Sequence, residues 1–386
     1  MDKQLDKNLE VAQNLMDDFL RRTGITDPDR NSNQRYLWTD AFAVQACFAL
    51  SHEQNGGDYQ AYALCLIDLV HSNLGKHRAD DPRKGWISGL PAEEGKNHPT
   101  AGGLRIGKKL SERLNGEPID HSLEWERDGQ YFHYLTRWFY ALLQAYRETG
   151  SRKYARWAAE LIKVGEKFIN RDKSGIRMFW KMNTNLTKPM VGSMGAHDAL
   201  EGLICTISAI DVFPESKPSL EFLESEMQFV CQDMNWFTTD PLGIGTLLLD
   251  TARAAELSFN MKPLPASIRP EYLFADSIAG LHAYARQVYN ELEPADSRLA
   301  FRECGLALGF RVLYGMKEKY AGLDIDYSEL EKFLHLVEGI EKFWTRPSSQ
   351  KSKTWLAHQD INTVTLAAGL LARNYPGVFC AAADSA

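Results

Sequence analysis

The residues with the most chemical capacity stand in short clusters just ahead of apolar runs. Arg35, Tyr36, Trp38 and Asp40 open the first. Glu124, Trp125, Glu126, Arg127, Asp128, Tyr131, His133 and Tyr134 open the second, the densest acid–aromatic cluster in the chain. His197, Asp198 and Glu201 follow among small residues, and Arg302 with Glu303 forms a fourth cluster. A fifth holds Trp355, His358, Gln359, Asp360 and Asn362. Paired carboxylates, one protonated and one ionised, do general acid–base work across a breaking bond. Histidine exchanges protons near neutrality without help. Trp and Tyr offer flat amphipathic faces to a hydroxyl-rich ring. On these grounds Asp40, Glu124, Glu126, His197, Asp198 and His358 are the expected catalytic groups. Arg35, Tyr36, Trp38, Trp86, Tyr131, His133, Arg302 and Asp360 are the expected substrate-binding groups.

Most of the clusters also have a structural explanation, although one cap does not explain both His358 and Asp360. Asp40 and Asp128 suit helix capping, and Trp38 suits packing on a neighbour. Arg302 and Glu303 suit an internal salt link. Asp240 ahead of Pro241 is a helix start that capping alone explains.

Several chemistries are disfavoured. GxGxxG, Walker, GxSxG and HExxH motifs are absent, against nucleotide chemistry, serine hydrolysis and zinc proteolysis. Six cysteines lie scattered without CxxC spacing, so no metal or other cofactor is expected, and a reducing cytoplasm fits. The net charge of −7 argues against nonspecific nucleic-acid binding. No basic stretch precedes an apolar one near the N-terminus, and no apolar run reaches the ~18 residues of a membrane helix.

Positioning such clusters needs rigid elements behind them. RYLWTDAFAVQACFAL, residues 35–50, is apolar on nearly every face after its polar head. A helix of that kind, too short to span a membrane, is buried within protein. DGQYFHYLTRWFYALL, GAHDALEGLICTISAI, DPLGIGTLLLDTA, LAFRECGLALGFRVL and HQDINTVTLAAGLLA repeat the design. The six buried helices are expected to begin near Thr39, Gly129, Ala196, Pro241, Arg298 and Asp360. One-faced amphipathic stretches alternate with them, at 3–22, from Asp58, from Tyr154 to Phe168, and at 220–232, 272–292 and 330–343.

Two long connections, about 76–127 and 171–194, interrupt the rhythm. The first carries seven glycines with Arg83, Trp86, His98 and Arg105. It is either a functional loop or a surface excursion with a short helix near 108–114. The second is expected to form a β-hairpin around 173–175, with aromatic and amide residues close to the site.

Six sequential hairpins with all-round apolar inner members close most simply into a ring. The arrangement resembles the all-α (α/α)6 toroid of the six-hairpin glycosidases and the N-acylglucosamine 2-epimerase group, over nearly the whole chain. The resemblance implies one domain spanning 1–386 and a funnel at the N-terminal ends of the inner helices, where free N–H groups converge. Trp38, Asp40, Tyr131, His197 and His358 are expected to line it, with the loop around Trp86 and His98 nearby. Three functions follow as expectations. The first is glycoside hydrolysis by paired carboxylates. The second is sugar 2-epimerisation or isomerisation by His133, His197 and His358. The third is a noncatalytic sugar-binding or scaffold role. The partner is then a small-molecule or oligosaccharide substrate, with no nucleic acid and no membrane. Arg35, Arg83, Arg105, Arg127 and Arg302 suit an acidic or phosphorylated sugar.

Overall fold

The computed structural model describes residues 2–27, 29, 34–53, 56–113, 116–173, 175–232, 234–287 and 294–381, with side chains described from Lys7 onward and not for Gln287. In chain order come α1 (Asp2–Arg22), α2 (Leu37–Ser51), α3 (Tyr59–Leu74), α4 (Ala92–Asn97), α5 (His121–Glu126), β1 (Gln130–Tyr131), α6 (Phe132–Thr149) and α7 (Arg152–Lys163). Then follow β2 (Ile169–Asp172), β3 (Gly175–Met178), β4 (Lys181–Met182), β5 (Pro189–Val191), α8 (Asp198–Val212) and α9 (Lys217–Cys231). The remainder is helical: α10 (Pro241–Phe259), α11 (Pro270–Gln287), α12 (Ala300–Gly315), α13 (Tyr327–Glu331), α14 (Leu334–Trp344), α15 (Lys353–Ala357), α16 (Gln359–Leu371) and α17 (Pro376–Cys380).

The six expected buried helices are α2, α6, α8, α10, α12 and α16, each starting within three residues of its expected position. Every residue from Leu37 to Leu50 is buried, as an all-round apolar sequence requires. Their one-faced partners are α1, α3, α7, α9, α11 and α14. The expected stretch at 272–292 is α11 as far as Gln287, and 288–292 lie outside the described residues. No helix among the described residues is long and apolar enough to cross a membrane.

The chain folds into two compact units. The first comprises 1–30, 45–60 and 234–386. Within it α10 packs on α11 and α12, α12 on α14 and α16, and α16 on α1. The α10–α12 crossing is close because glycines face each other. A Cβ on Gly309 would sit 1.9 Å from the Gly245 carbonyl oxygen, and one on Gly245 2.2 Å from that of Gly305. Asp240 caps α10 by accepting from the Gly243 N–H at 2.9 Å, with Pro241 in the first turn. One buried carboxylate is matched in full: Arg311 forks onto Glu341 at 2.8 and 2.9 Å, and Arg373 adds a third bond to it.

The second unit comprises 31–44 and 61–233. Here α6 packs on α7 and α8, and α8 on α9. β1, β4 and β5 form an antiparallel three-stranded sheet, and β2 pairs with β3 from Ile169↔Met178 to Asp172↔Gly175. That is the expected hairpin, with Ser174 of its turn outside the described residues. The first long connection holds two short helices, α4 and α5, rather than a helix at 108–113; Leu114, the end of that expected helix, lies outside the described residues. Leu110 bridges to Arg127, and its carbonyl accepts from the Asp128 N–H at 2.6 Å. Backbone committed to that pairing cannot make helical i→i−4 bonds.

The two glycine environments in the helices make a paired test. Gly309→Ala should lower stability by about 2 kcal/mol or more through overpacking. Gly339→Ala in α14, where a Cβ meets nothing within 4 Å, should raise it by roughly 0.5–1 kcal/mol. Urea denaturation of both variants checks the signs.

Candidate functional site

The heads of α2, α6 and α8 lie within the second unit, and their aromatic residues form a continuous cluster. Tyr36 and Tyr134 meet edge to face, with ring centres 5.6 Å apart and hydroxyls sharing a 2.6 Å hydrogen bond. Tyr134 contacts Tyr131 at 5.1 Å and His133 at 4.8 Å. Tyr131 contacts His133 at 5.1 Å, and Trp125 joins Tyr131 to Trp180 at 6.3 and 5.0 Å. Burial raises the phenol pKa of Tyr36, Tyr131 and Tyr134, so all three remain hydroxyl donors at neutral pH.

Lys181 supports this cluster from β4. Its buried ammonium donates to the carbonyls of Glu124 at 2.6 Å and Arg127 at 2.5 Å, and lies 5.0 Å from the Tyr131 ring centre. Burial, with the charge of Lys108, lowers its pKa to about 7.

His133 carries the cluster to a carboxyl. Its Nδ1 lies 3.7 Å from Asp198 Oδ1 in the first turn of α8. Asp198 is buried, its Oδ2 has no hydrogen-bond partner, and neither does His133 Nδ1. A Cβ on Gly195 would sit 2.3 Å from Asp198 Oδ1, so only glycine lets the chain pass that close. Burial, reinforced by the negative charge of Glu201, raises the Asp198 pKa well above the carboxylate range, and Arg137 opposes the shift. Glu201 itself is held by Arg137 at 2.6 Å and Thr136 at 2.5 Å. Burial and the charge of Arg137 lower His133 to about 3. Burial thus favours the uncharged form of both partners.

The remaining expected residues have varied surroundings. Asp40 accepts from the Tyr36 N–H at 3.2 Å and lies 3.6 Å from Arg35 Nε, so it caps α2 and pairs with Arg35. Trp38 packs on Phe42 at 4.6 Å. Trp86 is buried against Gly95 and donates from Nε1 to the Ala92 carbonyl at 3.2 Å. Glu124 is buried against Arg113 at 3.1 Å and lines a cavity of about 580 Å³ with Glu112, Arg113 and Asn183. Glu126 is exposed, 3.7 Å from Lys108 Nζ, and its charge acts on Tyr36 and Tyr131. His197 is the buried residue preceding α8. His98 meets Glu160 at 2.6 Å.

Three of the expected residues belong to the first unit. Arg302 pairs with Asp240, and Asp360 pairs with Arg22 of α1. His358 precedes α16, with its ring 5.8 Å from Phe301. Capping by Asp128 is replaced by a different role: fully buried, it accepts from the Gly107 and Lys108 N–H groups at 3.0 and 3.2 Å and from Arg105 at 2.5 Å. Trp180 is one of the aromatic residues of the second long connection expected close to the site, whereas sequence patterns miss Lys181, because strand pairing with Tyr131, rather than spacing in the chain, brings it to the start of α6. Among the described residues no group of three or more His, Cys, Asp or Glu side chains is placed to hold a metal ion.

The buried imidazoles set a pH dependence. His71 accepts from Trp138 Nε1 at 3.0 Å and, like His133, is lowered to about 3 from 6.5. Their contribution is full above pH 6.5 and is lost as pH falls toward 3, at up to about 1.4 kcal/mol per pH unit for each. Asp198, with its raised value, acts in the opposite sense, losing its contribution as pH rises above 3.8. His71→Gln should therefore flatten the stability loss between pH 6.5 and 4.5, measured by denaturant midpoints.

No protein-family model matches the chain, and no curated protein matches it. Solved structures do. The chain is similar to an inactive variant of the α-1,6-mannanase GH76A of Salegentibacter sp. HEL1_6 in complex with α-1,6-mannotetrose, with a TM-score of 0.57, 12% identity, and coverage of 95% of this chain and 99% of that one. A second inactive variant, with α-1,6-mannotriose, gives 0.56, and the enzyme's own structure 0.55, at the same identity and coverage. At that identity the likeness bears on the fold alone: the chain is mostly helical and shares the (α/α)6 toroid fold.

Proposed function

We propose that the protein is a glycoside hydrolase whose substrate, an oligosaccharide, stacks on the aromatic cluster of Tyr36, Tyr131, Tyr134 and Trp180. The observation that carries this reading is Asp198, a buried carboxyl with an unpartnered Oδ2, 3.7 Å from His133 of that cluster, whose pKa burial and the charge of Glu201 raise. A general acid must arrive protonated, and burial is how a carboxyl does so at neutral pH. The counterpart must be ionised and reachable by water. Asp40, Glu124 and Glu201 are each occupied by an arginine. Glu126 is exposed and acts electrostatically on Tyr36 and Tyr131, which supports it as the base. In this scheme Asp198 gives its proton to the glycosidic oxygen as the C–O bond breaks. Glu126 takes a proton from the water whose oxygen bonds to the anomeric carbon.

The mannanase neighbours, two of them holding mannotetrose or mannotriose, support a carbohydrate substrate. They do not bring their linkage with them. Both of those structures are inactive variants changed at two adjacent aspartates. The adjacent aspartates of this chain are Asp17–Asp18 in α1 and Asp80–Asp81 in the first long connection, neither at the head of α6 or α8. Six free cysteines, five of them buried, support a cytoplasmic setting.

A second reading has its own observation. A neutral His133 beside a protonated Asp198 is a proton-transfer pair, which suits a sugar isomerase or epimerase. One experiment separates the two. Purified protein is given a panel of α-linked oligosaccharides and free sugars in deuterated water. Hydrolysis releases reducing ends, and Asp198→Asn and Glu126→Gln should each reduce that release by at least about 100-fold. Asp198→Asn should fold at least as stably as the parent at pH 7, since a raised carboxyl pKa is a cost to the folded state there. Deuterium at C2 without new reducing ends, lost in His133→Gln but not in Glu126→Gln, would replace the hydrolase reading with the isomerase one.

A further inference from the structure

The second unit contains a cavity of about 620 Å³ between the start of α2, the end of α3 and the first long connection. Its lining includes six cations, Arg35, Lys76, Arg78, Arg105, Lys108 and Lys109, and one carboxylate, Asp80. In a chain of net charge −7 this is a marked local excess. Some of these charges are committed. Arg78 forks onto Asp80 at 2.8 and 2.9 Å, Arg105 bonds Asp128, and Lys76 lies 4.8 Å from the Trp86 ring centre. Arg35 is committed only in part: its Nε lies 3.6 Å from Asp40 Oδ2 and donates to the Gln34 carbonyl, while its Nη1 has no hydrogen-bond partner, and the residue is only 4% exposed and lines the cavity. His77 Nδ1, on the same wall, is also buried and unpartnered.

A buried guanidinium N–H without an acceptor is costly, and a ligand oxygen removes the cost. Guanidinium groups match the planar oxygen pairs of phosphate and carboxylate. The volume is that of a small-molecule site. We propose that this cavity binds the phosphate or carboxylate group of a small molecule, with Arg35 as the buried anchor and Lys76 and Lys109 at its walls. The inference does not rest on the hydrolase reading, because the cavity is lined by none of the aromatic residues or carboxyls that reading uses.

Calorimetric titration at low salt tests it with four probes: inorganic phosphate, glucose 6-phosphate, glucuronate and glucose. At least one anion should bind, glucose should not compete, and raising salt should weaken the complex. Lys109→Glu changes an exposed side chain and should weaken anion binding about tenfold or more. Lys217→Glu, an equal charge change on α9 outside the cavity lining, should not. Arg35→Lys keeps the charge but loses the fork, and should weaken binding as well, with thermal melting confirming that the chain still folds. Phosphate binding as tightly as glucose 6-phosphate identifies a site for the free ion; tighter binding of either sugar anion identifies the group on a larger ligand. The proposal is overturned if no anion binds at low salt, or if Lys109→Glu binds like the parent. A parallel titration with a neutral oligosaccharide keeps the two readings apart, since it can fail while the anions bind, and the reverse.

Discussion

One buried carboxylate decides whether the candidate site can exist in its present form. Asp128 is fully buried between Arg105 and two backbone N–H groups. The same segment is stitched on both sides: Ile106 donates to the Gly129 carbonyl at 2.8 Å, and its own carbonyl accepts from the Leu37 N–H at 3.0 Å. Residues 105–108 thus fix the start of α2 against the start of α6. Gly107 makes the close approach possible. Its φ is +94°, and a Cβ there would sit 1.9 Å from the Arg35 carbonyl oxygen. Removing one member of a buried pair such as Asp128–Arg105 costs about 3–5 kcal/mol, because the other charge is left without a partner. Tyr36 and Tyr134 sit on the two helices so joined, and their 2.6 Å hydroxyl contact depends on that stitching.

The helices are legible because burial writes itself into sequence. Leu37–Leu50 is apolar on all sides, and it is buried on all sides. Asp240 with Pro241 announces a capped start, and the cap is there. The first long connection is legible as a departure from rhythm but not in its content. A helix near 108–114 fits local propensity, whereas the backbone there is held extended against Arg127 and Asp128. Pairings of that kind join residues far apart in sequence and leave no periodic trace.

The site is legible by composition and opaque in detail. Tyr36, Tyr131 and His133 are expected at the heads and do meet. Trp38 and Trp86, of the same chemical type, are spent on packing. Residue type says what a side chain can do; only the neighbours decide whether it is free to do it. Arg35 and Asp40 show the same limit: their pairing answers Asp40 as structure and leaves Nη1 of Arg35 without a partner. Lys181 reaches the cluster on a strand that no motif marks, with Trp180 just ahead of it.

Asp198 and Arg35 are both arranged against stability, in opposite senses of charge. Asp198 keeps an unpartnered oxygen next to Glu201, whose negative charge discourages ionisation. Arg35 keeps an unpartnered nitrogen among other cations. The Glu341 carboxylate, by contrast, is matched by Arg311 and Arg373. Polar groups buried without full partners are expected where a ligand supplies what the protein withholds. What each lacks is informative. A carboxyl whose ionisation is discouraged is suited to giving a proton to a neutral oxygen, and a guanidinium with an unpartnered nitrogen is suited to receiving an anion. The second unit therefore holds two different chemical demands on neighbouring stretches of chain, with Lys108 bonded to the Trp125 carbonyl on one side and lining the basic cavity on the other.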